Sequence, residues 1–317
     1  MNVPHPGTPD GTFLCDSAFT RYSQRLRGVS QMSTRIDTVR AALGSDGWLG
    51  RRVLARVTVD SRALATFRIL LGSAILYDLF QRAQYLEMFY TNQGVYPLDA
   101  LEATDPAYSD ISIHALSGAP WVQQVLFLVA GLLAVAFVVG YRTRLVGLLS
   151  LALLFSLHGR NPLVLNGADR FFRVILLVSL ATPLGERWSI DALRRGSARD
   201  TVASFGTAAL LCQPIAVFTA NAAHKHTGVT WYAGEGLEHA LKNDVLTVFL
   251  GDVLVNYPAV VTALNYVWVG LLAGSVVLLL GTAGWLRVLV VFAYLGAFAG
   301  MALSMTVGLF PLLLSTA

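Results

Sequence analysis

The sequence predicts an all-α protein, a polytopic bundle of transmembrane helices. Of its 317 residues, 55% are hydrophobic and only 13% are charged, whereas soluble domains carry about 25% charged residues. Long apolar runs recur from residue 64 to the C-terminus, and about 20 consecutive apolar residues let a helix cross a bilayer. We therefore expect a multi-pass protein of the cell membrane, in contact with the lipid bilayer.

Residues 1–58 form a polar, arginine-rich leader, and residues 59–317 form the predicted membrane domain. The prolines and glycines between residues 4 and 11 favour disorder at the start. The first 30 residues contain no apolar core of the signal-peptide type. Met1 and Met32 both remain open as the true start. Cys15 lies in the leader and Cys212 in an apolar run, which argues against a disulfide framework.

Seven segments have the length and apolarity of membrane spans. They are Leu64–Arg82, Trp121–Gly140, Leu145–His158, Phe171–Leu184, Ala203–Ala223, Ala259–Leu280 and Leu286–Leu314. Whether the chain has an eighth span remains open. The shorter apolar piece Val245–Val255 is interpreted as an interfacial or re-entrant helix.

The basic residues predict the orientation, because loops rich in lysine and arginine stay in the cytoplasm. Arginines follow the second and fourth segments, at positions 142, 144, 187, 194, 195 and 199, whereas the 83–120 loop carries acidic residues and no lysine or arginine. We therefore expect a cytoplasmic N-terminus and an extracytoplasmic 83–120 loop. The formal net charge of +4 comes from such flanks and predicts no nucleic-acid partner.

Three polar stretches meet on the extracytoplasmic side of this topology, namely Tyr90–Tyr96, His158–Arg173 and His224–Trp231. In the second stretch, the candidate polar groups of a pocket wall are Asn161, Asn166, Asp169 and Arg170. Pro162 and Gly167 imply irregular backbone there, which is tolerated at membrane depth only beside protein or a cavity. In the pocket, Asp169 caps a helix or pairs with an arginine. The alternative is a solvated loop with an Asp169–Arg173 pair.

Lys225, at the end of the fifth apolar segment, is the candidate catalytic residue. A lysine here snorkels to the headgroups or pairs with a carboxylate, or it loses its charge on burial and acts as a base or a substrate contact. The flanking His224 and His226 favour the base, because positive neighbours and burial both favour a neutral amine. Trp231 offers an apolar wall. Asn221, one helical turn earlier, is placed to bond Lys225 or its ligand.

The pair of histidines predicts no metal site, because residues two apart point to different faces of a helix and no further ligand follows at matching spacing. Arg68 and Asp78 lie within the first apolar segment, where ionisable side chains usually face the bundle and pair. We expect these two residues to belong to a structural ion pair rather than to act in catalysis.

Four motifs follow one another along the chain. They are SRALATFRILLG (Ser61–Gly72), YTNQGVYP (Tyr90–Pro97), RNPLVLNGADRFFR (Arg160–Arg173) with PLGERWSIDA (Pro183–Ala192), and AAHKHTGVTWYAGEG (Ala222–Gly236). Taken in this order, they resemble the vitamin K-dependent gamma-carboxylase family, specifically its microbial branch of horizontally transferred transmembrane (HTTM) domain proteins.

The resemblance implies a mechanism. In the carboxylase, an uncharged lysine deprotonates a reduced quinone, and oxygen converts the quinone to a strongly basic alkoxide. The alkoxide removes a proton from a glutamate γ-carbon, to which carbon dioxide adds. Lys225 resembles that lysine, which implies a reduced quinone of the menaquinone or vitamin K type as cofactor. The carboxylase also has a large lumenal domain, whereas this sequence ends at Ala317, so carboxylation of a propeptide-bearing protein is not expected.

Two other functions fit the same residues. One is a non-catalytic membrane module that binds a lipid-like molecule or a partner protein. The other is a transporter, although no repeated pair of interrupted helices marks one.

Overall fold

The computed structural model describes residues 54–316, and this part of the chain is mostly helical. The chain divides into two units, Met1–Val57 and Thr58–Ala317, and the fold below is that of the second. The leader predicted for residues 1–58, with Met32 and Cys15, lies outside the described residues except for its last few positions.

The helices of the second unit begin and end as follows. In chain order they are α1 Ser61–Ala83, α2 Leu86–Tyr90, α3 Leu98–Thr104, α4 Pro106–Ile111, α5 Pro120–Val139, α6 Thr143–Arg160, α7 Gly167–Leu180, α8 Ile190–Arg195, α9 Phe205–His226, α10 Val229–Tyr232, α11 Gly236–Leu241, α12 Leu250–Leu254, α13 Pro258–Ala273, α14 Gly284–Ser304 and α15 Phe310–Thr316. Short 3-10 turns occupy Ile113–Ala115 and Pro162–Val164, and a π-helical turn occupies Val277–Gly281. Strands β1 Thr58–Asp60 and β2 Thr201–Ala203 pair antiparallel.

Four helices of the described chain, α1, α5, α9 and α14, are long and apolar enough to cross a membrane, and α13 is a shorter apolar helix. Leu128 of α5 and Phe292 of α14 are largely exposed, as expected of side chains that face acyl chains. The protein is therefore a helical membrane protein in contact with lipid. Helices also lie in the other predicted segments, but their length and apolarity alone do not qualify them as spans.

The seventh predicted segment, Leu286–Leu314, is not one helix. The helix α14 ends at Ser304, the backbone is extended at Met305, and α15 begins at Phe310. Gly308, between the two helices, has a positive φ of 63°, a conformation that glycine adopts without steric cost. The sequence prediction of a single helix was wrong here because apolarity alone does not reveal this break.

The break is stabilised by bonds to the segment Val245–Val255. Met305 forms an isolated antiparallel bridge with Thr247, and the N–H of Thr306 donates to the carbonyl of Leu246 at 2.7 Å. These bonds replace the helical bonds that α14 would otherwise continue. They also keep most of Val245–Val255 irregular, so that only α12 is helical where a longer interfacial helix was expected.

The first helix, α1, is the centre of the bundle. In its most apolar window 56% of the residues are buried, against 17% in α14. Its closest neighbour is α5. A Cβ added at Gly72 of α1 would lie 2.6 Å from Cγ2 of Val138 and 3.3 Å from the ring of Phe137. The glycine therefore allows the two helices to approach closely.

Arg68 of α1 is completely buried and is satisfied by backbone carbonyls. It donates to the carbonyl oxygens of Val138, Leu184, Arg187 and Trp188. The first motif of the sequence thus contacts the turn formed by Pro183–Ala192. Among the described residues Arg68 therefore does not form the structural ion pair expected of it, because backbone carbonyls take the place of a carboxylate, whereas Asp78 does form one, with Arg82.

Candidate ligand-binding site

Arg82, in the last turn of α1, is the centre of a buried polar network. Its Nε donates to both carboxylate oxygens of Asp78 at 2.9 Å, since residues four apart share one helix face. Its Nη2 donates to Asp169 of α7 at 2.5 Å, and its Nη1 donates to the hydroxyl of Tyr90 at 3.0 Å. His158 Nε2 lies 3.5 Å from Asp169 Oδ1. The network thus joins the ends of α1, α6 and α7.

Asp169 also organises the first turn of α7. Asn166 is the N-cap of this helix, and its N–H donates to Asp169 Oδ2 at 2.7 Å in a capping box. Asp169 therefore occupies the third helical position, and its arginine partner is Arg82. The expected alternative, an Asp169–Arg173 pair, is wrong, because Arg173 lies over the ring of Phe155, 5.5 Å from its centroid.

The first two predicted polar stretches come together beside this network. Arg160 Nη1 donates to the carbonyl of Tyr96 at 2.9 Å, and Asn161 Nδ2 donates to the carbonyl of Phe89 at 3.0 Å. Asn161 and Arg160 are both almost completely buried. Asn161 Oδ1, Arg160 Nε and both ring nitrogens of His158 have no hydrogen-bond partner among residues 54–316. Asn161 therefore tethers α6 to α2.

A cleft between α7 and α9, here called the α7–α9 cleft, holds three of the predicted site residues. Asn166 and Arg170 line it from α7, and Asn221 lines it from α9. The remaining lining residues are mostly apolar, and they include Phe171, Val174, Ala216, Val217, Ala220 and Phe310. Its volume of about 770 Å³ lies within the usual range for small-molecule sites.

Gln213 is a functional candidate that was not among the predicted site residues. It lines the α7–α9 cleft, it is 8% exposed, and neither its Oε1 nor its Nε2 has a partner in the described chain. The next residue, Pro214, has no N–H, so the carbonyl of Leu210 lacks its usual helical donor. A glutamine beside a proline in the middle of an apolar run is the sequence signal that points to this position.

A second cleft, here called the α1–α7 cleft, lies on the other side of the α7 start and has a volume of about 600 Å³. Asp78, Arg82, Tyr90 and Asp169 contribute to its wall, and Asn166 lines both clefts. Sequence reasoning missed Arg82 and Tyr90 as site residues. The i,i+4 spacing of Asp78 and Arg82 at the end of an apolar run is the signal that could have found Arg82.

Lys225 lies at the end of α9, outside the lining of both clefts. Its Nζ is 3.1 Å from the ring centroid of Trp231, a cation–π contact, and the lysine is half-buried. Within residues 54–316 it makes no ion pair. Asn221 donates to the carbonyl of Val217 at 2.9 Å and does not bond Lys225. The structure thus brings Lys225 and Trp231 together but separates both from the cleft residues.

The two predicted histidines beside Lys225 are exposed. The ring of His226 packs edge-on against Tyr232 with centroids 5.0 Å apart. The carbonyl of His224 accepts from Thr227 Oγ1 at 2.7 Å. In the described part of the chain no group of three His, Cys, Asp or Glu side chains is arranged to hold a metal ion.

Two ionisable groups near the network lie outside the candidate spans. Burial, with a smaller contribution from the charge of Arg160, lowers the pKa of His114 to about 4. Its Nδ1 lies 2.7 Å from Ser156 Oγ. Burial raises the pKa of Tyr90, and the nearby Arg82 offsets this only in part. Tyr90 is therefore a neutral hydroxyl that accepts from Arg82 and keeps its own proton to donate.

The site thus consists of an apolar cleft with a few polar groups, beside a buried ion network that fixes the start of α7. No protein-family model, curated protein or solved structure matches this chain.

Proposed function

We propose that this membrane protein binds a lipid-like small molecule in the α7–α9 cleft. The observation that carries the proposal is the amide of Gln213, which lines the cleft, is almost completely buried and has no hydrogen-bond partner among residues 54–316. Buried polar atoms are normally hydrogen-bonded, so this amide is suited to a polar group of a ligand. Apolar walls with a few polar groups are also the usual composition of small-molecule sites.

The experiment is identification of the ligand that copurifies with the protein. We expect mass spectrometry of an organic extract to find a lipid-like compound, and its occupancy to fall in Gln213→Leu. The matched control is Gln124→Leu, an exposed glutamine of α5 outside the cleft, which should keep the wild-type occupancy. Equal occupancy in both variants, or no bound compound in any preparation, would contradict the proposal.

The proposal includes seven membrane crossings in the cell membrane, with the N-terminus in the cytoplasm. It is supported by the helices that lie in each of the seven predicted segments. It is also supported by the contrast between the 83–120 loop, which lacks lysine and arginine, and the arginine-rich 185–200 turn.

A quinone-dependent enzyme of the gamma-carboxylase-like kind is the second candidate function. One observation favours it: Lys225 is half-buried without an ion pair to the described residues, one helical turn beyond Asn221 of the cleft wall. The motif resemblance to HTTM proteins supplies a reduced quinone as the compound to test. Since the amine lies against Trp231, catalysis requires the Lys225 side chain to turn toward Asn221.

The two functions differ in what Lys225 contributes. For the enzyme, Lys225→Ala abolishes quinol-dependent oxygen consumption while the protein still elutes as a folded species, and Lys225→Arg does not restore activity, because a guanidinium does not become a neutral base. For the binding module, both variants retain the copurified ligand and no oxygen is consumed by any of the proteins.

A further inference from the structure

Arg170 carries a charge at the α7–α9 cleft that no carboxylate of the described chain neutralises. It lines the cleft, and no ion pair joins it to an acidic residue between positions 54 and 316. Its side chain is exposed, and a guanidinium is well suited to a carboxylate or phosphate partner. An acidic group on a ligand would supply one.

The start of α7 adds positive potential at the same place. Asn166, Gly167 and Ala168 line the cleft, and the N-terminal end of a helix carries the positive end of its dipole. Asp169 lies in the same turn, but its carboxylate is bonded to Arg82 in the other cleft. The carboxylate of Asp169 is thus already paired with Arg82, and its other oxygen accepts the N–H of Asn166.

The polar groups of the cleft are separated by an apolar stretch. Along α9 the lining runs from Gln213 through Ala216, Val217 and Ala220 to Asn221. Eight residues of α-helix rise about 12 Å. Arg170 lies in the first turn of α7 and Asn221 in the last two turns of α9, so the charged end of the cleft lies near the ends of both helices. The amide of Gln213, which has no partner within the described part of the chain, lies deeper in the cleft.

We propose that the ligand of the α7–α9 cleft is an acidic amphiphile, whose phosphate or carboxylate contacts Arg170 and the first turn of α7. Its carbonyl or hydroxyl group bonds the amide of Gln213, and its hydrocarbon part packs on the apolar wall between them. A free inorganic anion would leave both the amide and this wall without a contact. The inference rests on the proposed lipid-binding function, and it differs from that function in assigning a negative charge to the ligand.

The experiment measures binding to the full chain, purified in a neutral detergent and delipidated. The probes are dioleoyl phosphatidic acid, dioleoyl phosphatidylcholine, reduced menaquinone and inorganic phosphate. The readouts are the mass of the ligand-bound protein in native mass spectrometry and the shift in unfolding temperature.

The variants are Arg170→Gln, Arg170→Lys and Gln213→Leu. Arg144→Gln, which removes an exposed arginine outside the cleft, is the matched control. Elution as a single species in size-exclusion chromatography establishes that each variant is folded.

We expect phosphatidic acid to bind the wild type and Arg144→Gln more tightly than phosphatidylcholine does. Its affinity should fall at least about tenfold in Arg170→Gln, the usual effect of losing a charge-assisted hydrogen bond. Arg170→Lys should recover part of this loss, and Gln213→Leu should weaken the binding of every lipid probe.

Each contrary result has a separate meaning. Equal affinity for the two phospholipids overturns the proposal that the ligand is an acidic amphiphile. Unchanged affinity for phosphatidic acid in Arg170→Gln also overturns it. If reduced menaquinone is the only probe that binds, and Gln213→Leu weakens its binding, the proposed lipid site is supported. The same result overturns the proposal that the ligand is negatively charged. Competition by inorganic phosphate at the concentration that phosphatidic acid requires shows a free-anion site and rejects the amphiphile. Absence of binding by every probe removes the proposed function together with this inference.

Discussion

The guanidinium of Arg82 donates to the carboxylate of Asp169 at 2.5 Å and thereby joins the end of α1 to the start of α7. The same carboxylate accepts the N–H of Asn166 in the capping box. The first turn of α7, which carries Asn166 and Arg170 into the α7–α9 cleft, is therefore held in place by an ion pair outside that cleft.

This relationship predicts that Arg82→Met destabilises the protein by about 3–5 kcal/mol, because it leaves two carboxylates buried without their cation. Arg62→Met, an exposed arginine at the other end of the same helix, should have little effect. The unfolding free energy in detergent, measured with chemical denaturant, tests the difference. A similar small loss in both variants would show that the pair between Arg82 and Asp169 does not stabilise the fold.

The helical membrane character of the chain could be predicted from sequence because it depends on composition and run length. The break after Ser304 could not, since it depends on pairing between Met305 and Thr247, which lie far apart in sequence. The irregular turn before α7 was predicted from Pro162 and Gly167. The partner of Asp169 was missed, because local spacing favours Arg173 and only the folded structure brings Arg82 near.

Part of the candidate site could also be predicted from the sequence. Asn166 and Arg170 were chosen from a polar stretch between two apolar segments, and Asn221 for its spacing from Lys225. The structure places all three on one cleft. Lys225 was chosen because it ends an apolar segment between two histidines, and its side chain lies on Trp231, outside that cleft. Side-chain direction at a helix end depends on neighbours such as Trp231, whose carbonyl is held by Asn265 at 2.8 Å.

Acidification should destabilise the fold through His114. Its pKa is about 4 in the folded protein, against 6.5 in an unfolded chain. Between these values the unfolded chain binds more protons, so stability is lost as the pH falls from 6.5 toward 4, by up to about 3 kcal/mol. His114→Gln should flatten this part of the profile. Unfolding free energies between pH 4.5 and 7 test it, and parallel wild-type and variant profiles would refute the assignment to His114.

Two glycine substitutions should have opposite effects. Gly72→Ala should cost about 1–3 kcal/mol, because the new methyl group meets Val138 at 2.6 Å and Phe137 at 3.3 Å. Gly131→Ala, also within a helix, meets nothing within 4 Å and should stabilise the protein by about 0.5–1 kcal/mol. Thermal unfolding of both variants checks the signs. Stabilisation by Gly72→Ala would mean that α1 and α5 do not pack as closely as described.

The proposed topology places the 83–120 loop and the turn after α8 on opposite sides of the membrane. In a chain carrying Cys15→Ser and Cys212→Ala, we expect a cysteine introduced by Asp110→Cys to react with an impermeant maleimide on intact cells. A cysteine introduced by Ser197→Cys should react only after the membrane is opened, because the arginines beside it favour a cytoplasmic position for that turn. Labelling of both cysteines on intact cells would refute the orientation.

The contact between Lys225 and Trp231 predicts a measurable coupling. In a double-mutant cycle with Lys225→Met and Trp231→Leu, we expect the two changes to be non-additive by about 0.5–2 kcal/mol, the usual strength of a cation–π contact. The matched cycle pairs Trp231→Leu with Lys242→Met. Lys242, directly after α11, donates to Glu238 of that helix at 2.5 Å, so this cycle should be additive. Additivity of the first cycle would show that the amine does not rest on the ring in solution. Lys225 would then be free to turn toward Asn221, as the catalytic function requires.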